Sequence, residues 1–164
     1  MALTKVQIGM TDAPTSGTAV TASGTSVDFN SIPATVKRIT VMFSGVSTSG
    51  ANNYLIQLGS GTIQSTGYIS TYIYVNGTSA ATSSSTAGFM PAVPSAAAAA
   101  TGAVSISLVT GANWVCQGTL SMLTNAATSF AGGVTLAGVL DRIRITTVTG
   151  TDTFDAGTIN IMYE

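Results

Sequence analysis

Residues 139–164, VLDRIRITTVTGTDTFDAGTINIMYE, carry the clearest structural signal in this chain. Apolar and polar side chains alternate in the first half: Val139, Ile143 and Ile145 share one predicted face, and Arg142, Arg144 and Thr146 share the other. In the second half, Ile159, Ile161 and Tyr163 alternate with Asn160 and Met162. Strict alternation is typical of a β-strand with one buried face. We therefore predict two strands here, the last two of a self-contained sandwich.

Similar alternation recurs upstream, in residues 36–43, 68–75 and 103–109. Asn76-Gly77 is a strong hairpin-turn dipeptide, and Gly111 separates 103–109 from a predicted partner strand at 113–123. Loops are expected at 47–53 and 76–88, and a loop or short helical turn in the alanine-rich stretch 91–104. No window shows a sustained apolar period of 3.6 residues, so little helix is expected. The pattern predicts an all-β, antiparallel β-sandwich, jelly-roll-like, of about eight short strands.

The length of 164 residues fits one domain of ordinary size. We expect residues 25–164 to form the β-sandwich and residues 1–24 to form a short N-terminal arm used in attachment or assembly. The hydrophobic content of 45% argues for a packed β structure, because disordered chains combine low hydrophobicity with high net charge.

Charge is scarce in this chain. Charged residues make up 7% of it, against roughly 25% in an average globular protein. The net charge of −1 gives nucleic acid no basic field to bind. No stretch reaches the roughly 20 apolar residues of a membrane span, and none resembles a signal peptide. A surface this poor in charge predicts burial against other subunits.

The usual catalytic residues and motifs are missing from the sequence. Histidine, the commonest general base and metal ligand, does not occur. The single cysteine, Cys116, is expected to be a small buried residue. Asp152 and Asp155 lie three apart in a predicted turn, where aspartate commonly caps backbone amides, and the spacing does not match a calcium loop. We predict a non-enzyme without cofactor or metal.

Two groups of side chains could form a binding surface. Lys37 with Arg38, and Arg142 with Arg144, form two cationic pairs on predicted strands, and arginine pairs well with carboxylates. They are either an anion, glycan or subunit-contact site, or a solvated sheet face. Tyr68, Tyr72 and Tyr74 share one strand face, where they either contact a glycan or pack in a core or interface.

Residues 26–50, SVDFNSIPATVKRITVMFSGVSTSG, together with 140–164, LDRIRITTVTGTDTFDAGTINIMYE, resemble a domain of tailed-bacteriophage virion proteins. Such domains occur at the C-terminus of tail-fibre-like and other virion-associated proteins. The opening MALTKV is similar to the start of many phage virion proteins. A compact β domain with a short arm resembles capsid decoration (cement) proteins in design.

The resemblance implies a non-enzymatic virion structural protein on the capsid surface, with a trimeric decoration protein that stabilises the phage head as the first hypothesis. Its partners would be itself, as a homotrimer, and the major capsid protein or another virion protein. The expected subunit or capsid contacts are Leu3, Lys5, Val6, Ile8, Arg38, Arg142 and Arg144. The alternative is the receptor-binding tip of a tail fibre, contacting host-surface glycan. A third hypothesis is a carbohydrate-binding module outside any virion.

Overall fold

The computed structural model describes residues 13–123 and 125–164, which form thirteen strands and no helix. The strands are β1 Thr15–Ser16, β2 Val20–Thr21, β3 Ser26–Asn30, β4 Arg38–Thr48, β5 Tyr54–Ser60, β6 Thr62–Ile63, β7 Ile69–Asn76, β8 Ser79–Ser85, β9 Ala100–Thr110, β10 Asn113–Leu123, β11 Ala126–Thr135, β12 Arg142–Thr147 and β13 Phe154–Tyr163.

The strands pair antiparallel in two sheets of unequal size. The large sheet has nine strands in the order β1-β13-β4-β9-β10-β11-β7-β8, with β2 also paired to β13. The small sheet has four strands in the order β3-β12-β5-β6. Buried side chains from both sheets form one hydrophobic core. The predicted all-β antiparallel sandwich is therefore confirmed, whereas the jelly-roll topology stays a prediction.

The alternating residues form the core where the sequence indicated it. In β4, Ile39, Val41 and Phe43 are buried, and in β12 Ile143 and Ile145 are fully buried. Ile159 and Ile161 of β13 face the same interior. Val139 was assigned to the buried face, and this is wrong. Its side chain is 60% exposed. Val139 precedes the start of β12 at Arg142, so the alternation of buried and exposed side chains along that strand does not extend to it.

Two hairpin turns use glycine for its backbone freedom. Gly111 has φ +57° and begins the two-residue turn between β9 and β10, as predicted. Gly77, also at φ +57°, begins the turn between β7 and β8. The two loop residues there are Gly77 and Thr78, one position later than the predicted Asn76-Gly77. Glycine at the first loop position with positive φ is typical of a type II′ turn.

Several segments differ from the predicted pattern. Residues 79–85, within the predicted loop 76–88, form β8, and residues 126–135 form β11, which the alternation did not indicate. The alanine-rich stretch forms a turn at residues 96–97 and then enters β9 at Ala100. Within the predicted arm, β1 and β2 pair with β13 along its free side. Residues 1–12 lie outside the described residues.

Two buried tyrosine hydroxyls connect the sheets. Tyr68, next to β7 of the large sheet, accepts a hydrogen bond from the backbone N–H of Leu58 in the small sheet at 2.7 Å. Tyr54 of the small sheet donates to the carbonyl oxygen of Val46 in the large sheet at 3.1 Å. Burial raises the pKa of both tyrosines to about 12. Each phenol therefore stays neutral and bonded over the ordinary pH range.

Candidate interaction surface

The charged residues are distributed very unevenly along the chain. Residues 39–140 contain no Asp, Glu, Lys, Arg or His. Strands β5 to β11 lie within this range and therefore carry no charged side chain. The total number of charged residues did not reveal this charge-free segment, although their positions in the sequence show it.

The outer face of the large sheet is formed by the side chains of β4, β9, β10, β11, β7 and β8 that point away from the small sheet. The strand registers place these side chains in four rows across the sheet. The first row is Ile69, Gly133, Val115 and Ser107, and the second is Ser84, Thr71, Ala131, Gln117, Ser105 and Thr40. The third is Thr82, Ile73, Ser129, Thr119, Ala103 and Met42, and the fourth is Ala80, Val75, Ala127, Ser121 and Thr101. Arg38 of β4, opposite Ser107, ends the first row, and no other member of the four rows is charged.

Four large aliphatic side chains on the outer face are exposed. Ile69 is 79% exposed and Ile73 51%, and the corresponding values are 43% for Val115 and 41% for Val75. Three of them lie on the outward side of β7, with Thr71 between Ile69 and Ile73, and Val115 lies two strands away. Single exposed apolar residues are ordinary, but a group on one flat face marks an interaction surface.

The centre of the outer face is shallowly concave. A depression of about 330 Å³ is lined by Thr40, Ala103, Ser105, Gln117, Gly118, Thr119 and Ser129. All of these side chains are uncharged, and all except Gln117 are small. No aromatic ring lines the depression, so stacking on a sugar ring is not available there. Its shape suits protruding side chains of another protein.

Strand β8 forms one edge of the large sheet. All seven residues pair with β7 without a register shift, and six of the seven are exposed. Natural edge strands are usually protected by charges, proline or bulges, and β8 has none of these. Its outward backbone groups are accessible to a further strand.

The predicted arginine contacts lie away from the centre of this face, and each arginine has a carboxylate partner in the same chain. Arg144 bonds both carboxylate oxygens of Asp28 at 2.7 Å, across the directly opposed positions of β12 and β3. Arg142 bonds Asp141 at 2.8 and 3.0 Å, which holds the pKa of that carboxyl below its usual value. Arg38 lies at the end of the first row and pairs with Glu164.

A larger groove lies beside the Arg38–Glu164 pair. Its volume is about 850 Å³, and it is lined by Ala13, Thr15, Pro33, Thr35, Val36, Lys37, Arg38, Tyr163 and Glu164. The groove thus contains the predicted cationic pair and reaches Ala13, where the described chain begins. The other predicted contacts, Leu3, Lys5, Val6 and Ile8, lie outside the described residues.

The three tyrosines of the possible glycan site point towards the interior. Tyr68 is 1% exposed and its ring meets Phe89 edge-on, with ring centroids 5.1 Å apart. Tyr72 and Tyr74 are half-buried and pack against the core. A fully buried ring offers no face to a sugar, so Tyr68 belongs to the core and not to a glycan site. The hydroxyl of Tyr74 is buried without a hydrogen-bond partner among the described residues.

The remaining candidate residues have structural surroundings. Asp152 accepts hydrogen bonds from the backbone N–H of Asn52 at 3.1 Å and from its side-chain amide at 2.9 Å, so it caps a neighbouring loop. Asp155 accepts one from Ser47. Cys116 is buried as predicted, and burial raises the pKa of its thiol. Within the described ranges, no group of three or more potential metal ligands occurs.

Comparison with protein-family models, with curated proteins and with solved structures returns no match for this chain. In the part of the chain that the structure describes, no helix has the length and apolar character needed to cross a membrane. The outer face is therefore the candidate site on the strength of its own geometry and chemistry.

Proposed function

We propose that this chain is a non-enzymatic virion structural protein, and specifically a trimeric capsid decoration protein that stabilises the surface of a phage head. The observation that carries the proposal is the outer face, which has exposed Ile69, Ile73, Val75 and Val115 and no charge except Arg38 at its edge. Charged groups are depleted from the centres of protein interfaces because their desolvation is costly. A broad face without charge suits lasting burial against protein.

The distribution of charge gives the molecule two different surfaces. The outer face has only Arg38, at the end of its first row, whereas the groove beside Lys37 and Arg38 contains both charges and apolar side chains. In a decoration trimer, the outer faces would serve contacts between copies. The groove and the N-terminal arm, on the side where Ala13 lies, would serve attachment to the major capsid protein. The resemblance of residues 26–50 and 140–164 to virion domains supports the same assignment, and a jelly-roll relationship belongs to this proposal.

The proposal is tested by counting and locating the chain in purified virions from the source of this sequence. Intact proteins of dissociated particles are separated, and the band is quantified against the major capsid protein. Antibody raised against the recombinant chain is then used for gold labelling, with antibody preabsorbed on the same chain as the control. Decoration requires tens to hundreds of copies over the head. A few copies at the tail would replace it with the tail-fibre tip, and absence from the particle would reject both.

A functional measurement complements the count. Particles lacking the chain are heated with and without added recombinant protein, and DNA release is followed by dye fluorescence. A decoration protein should raise the temperature of release when it is added back. Unchanged release at saturating occupancy would contradict a stabilising role even if the chain is found on the head.

A further inference from the structure

We propose that the outer face of the large sheet is a contact between copies of this chain, and that its occupant is the same face of one neighbouring copy. This inference goes beyond the proposed function: a face that packs on the same face of one neighbour forms a twofold pair, whatever larger assembly the copies belong to.

The size of the outer face matches a stable protein contact. Six strands about 4.8 Å apart give a width near 29 Å, and four rows of alternating side chains give a length near 27 Å. The face therefore covers roughly 800 Å². A standard interface buries about 800 Å² on each partner. One face of this kind is large enough to hold two copies together.

The chemistry of the outer face is complementary to itself. Serine and threonine hydroxyls both donate and accept hydrogen bonds, so a face rich in them can satisfy a copy of itself. Because the four rows contain no charge except Arg38 at their edge, which pairs with Glu164 of its own chain, two such faces meet without burying an unpaired ion. A charged partner, such as nucleic acid or a strongly acidic protein, would find no complementary group there.

The recesses and protruding side chains of the outer face also allow two copies to interdigitate. Gly133 lies between Ile69 and Val115 in the first row and has no side chain, which leaves a notch between two aliphatic groups. The central depression of about 330 Å³ offers a second recess. Exposed aliphatic side chains of one copy, such as Ile73, supply protrusions of suitable size. Small residues across the rows allow the close approach that sheet-on-sheet packing requires.

The test places a lysine in the face and a matched lysine outside it. Val115→Lys introduces a charge in the first row of the outer face, on the middle strand β10, and Val139→Lys makes the same change at a site that is 60% exposed and outside the four rows. Both valines are solvent-exposed in the single chain, so neither variant should prevent folding. Circular dichroism and thermal unfolding check this point. Ile73→Lys provides a second probe of the face, on a different strand.

The measurement is the molar mass by light scattering and its concentration dependence by sedimentation. Wild type and Val139→Lys should show the same multiple of the 16.4 kDa chain. Val115→Lys should weaken association at least 100-fold and shift the mass towards a single chain. A wild type that remains a single chain at every concentration would overturn the inference, as would a Val115→Lys variant that assembles like wild type.

Failure of this inference and failure of the proposed function are distinguishable. If the chain self-associates through the outer face but is absent from virions, the contact between copies is supported and the virion role is rejected. Conversely, the chain could be abundant on the head while Val115→Lys and Ile73→Lys leave its self-association unchanged. That result would support the virion role and show that the contact between copies lies elsewhere. A single-chain wild type that binds particles only with an intact outer face would show that another virion protein occupies it, which also overturns self-contact.

Discussion

Replacing Tyr68 by phenylalanine should lower the free energy of unfolding by about 1–3 kcal/mol. The hydroxyl of Tyr68 is the acceptor for the buried backbone N–H of Leu58, at 2.7 Å. Its removal leaves that donor without a partner between the two sheets, and an unsatisfied buried polar group costs about 1–3 kcal/mol. With a urea m-value of about 2 kcal/mol/M, the unfolding midpoint should fall by about 0.5–1.5 M.

Tyr74→Phe is the matched control, because it deletes the same oxygen atom from the same strand region. The Tyr74 hydroxyl is buried and has no hydrogen-bond partner among the described residues. Its removal should leave the unfolding midpoint unchanged or raise it, since the cost of burying an unpaired hydroxyl disappears. Equal losses in the two variants, or no loss in Tyr68→Phe, would refute the assignment of a bridging role to Tyr68.

The Tyr68 phenol has a second readout in alkaline solution. Burial raises its pKa in the folded chain to about 12, against about 10 in the unfolded chain. Between these values the unfolded state has lost the proton and the folded state has kept it, so stability falls as the pH rises from about 10 to 12. Tyr54 titrates in the same way. The buried Cys116 thiol, whose pKa is also raised, is a third group that titrates in this direction. Each group contributes a decline of about 1.4 kcal/mol per pH unit, so Tyr68→Phe should remove about a third of the decline. An unchanged slope would contradict this account.

Three further predictions concern the backbone, the charge pairs and the sheet edge. Gly157→Ala should cost more than 3 kcal/mol or prevent folding, because a Cβ at this φ of +88° would fall on the carbonyl oxygen of Gly45. Gly45→Ala, at φ +63° with open space, should cost only about 1 kcal/mol by urea unfolding. A double-mutant cycle on Asp28 and Arg144 should give a coupling energy of about 0.5–1 kcal/mol. The coupling energy should decline with salt, because the ion pair is half-exposed. A coupling energy above about 3 kcal/mol would contradict a half-exposed pair. Amides of residues 79–85 should exchange faster than those of the central strands, measured by hydrogen exchange, and equal protection would show that another chain covers the edge.

The fold class was predictable because the strongest strands obey period two with bulky β-branched residues. In β4 and β12 the isoleucines and valines that alternate with polar residues are the ones in the core. Strand β8, with the sequence SAATSSS, has no large apolar residue, and its order depends on pairing with β7. Strand β11 has neighbours on both sides, β10 and β7, and needs only a few large residues to join the sheet. Tertiary pairing of this kind leaves little trace in local sequence.

The candidate surface was only partly predictable. The low charge predicts burial against other subunits, which stays a prediction, and the arginines were recognised as partners for carboxylates. That Arg144 meets Asp28, more than one hundred positions earlier, depends on the register of β12 with β3. Similarly, Ile69 and Val115 are far apart in sequence and become neighbours of Gly133 only through two strand pairings. Alternation gives the face on which a residue lies, but register decides its neighbours.

The uncharged central segment has a practical consequence for detecting the protein. Trypsin cleaves after lysine and arginine, and between Arg38 and Arg142 there is no such residue. Complete digestion therefore releases residues 39–142 as one peptide, too large for routine peptide sequencing. Proteases specific for acidic residues find no site between 39 and 140 either. A standard tryptic survey of a particle would undercount this chain even at high copy number, whereas chymotrypsin or intact-mass measurement would register it. The same segment gives trypsin-like proteases in the surroundings of the protein nothing to cut across the face formed by β9, β10 and β11.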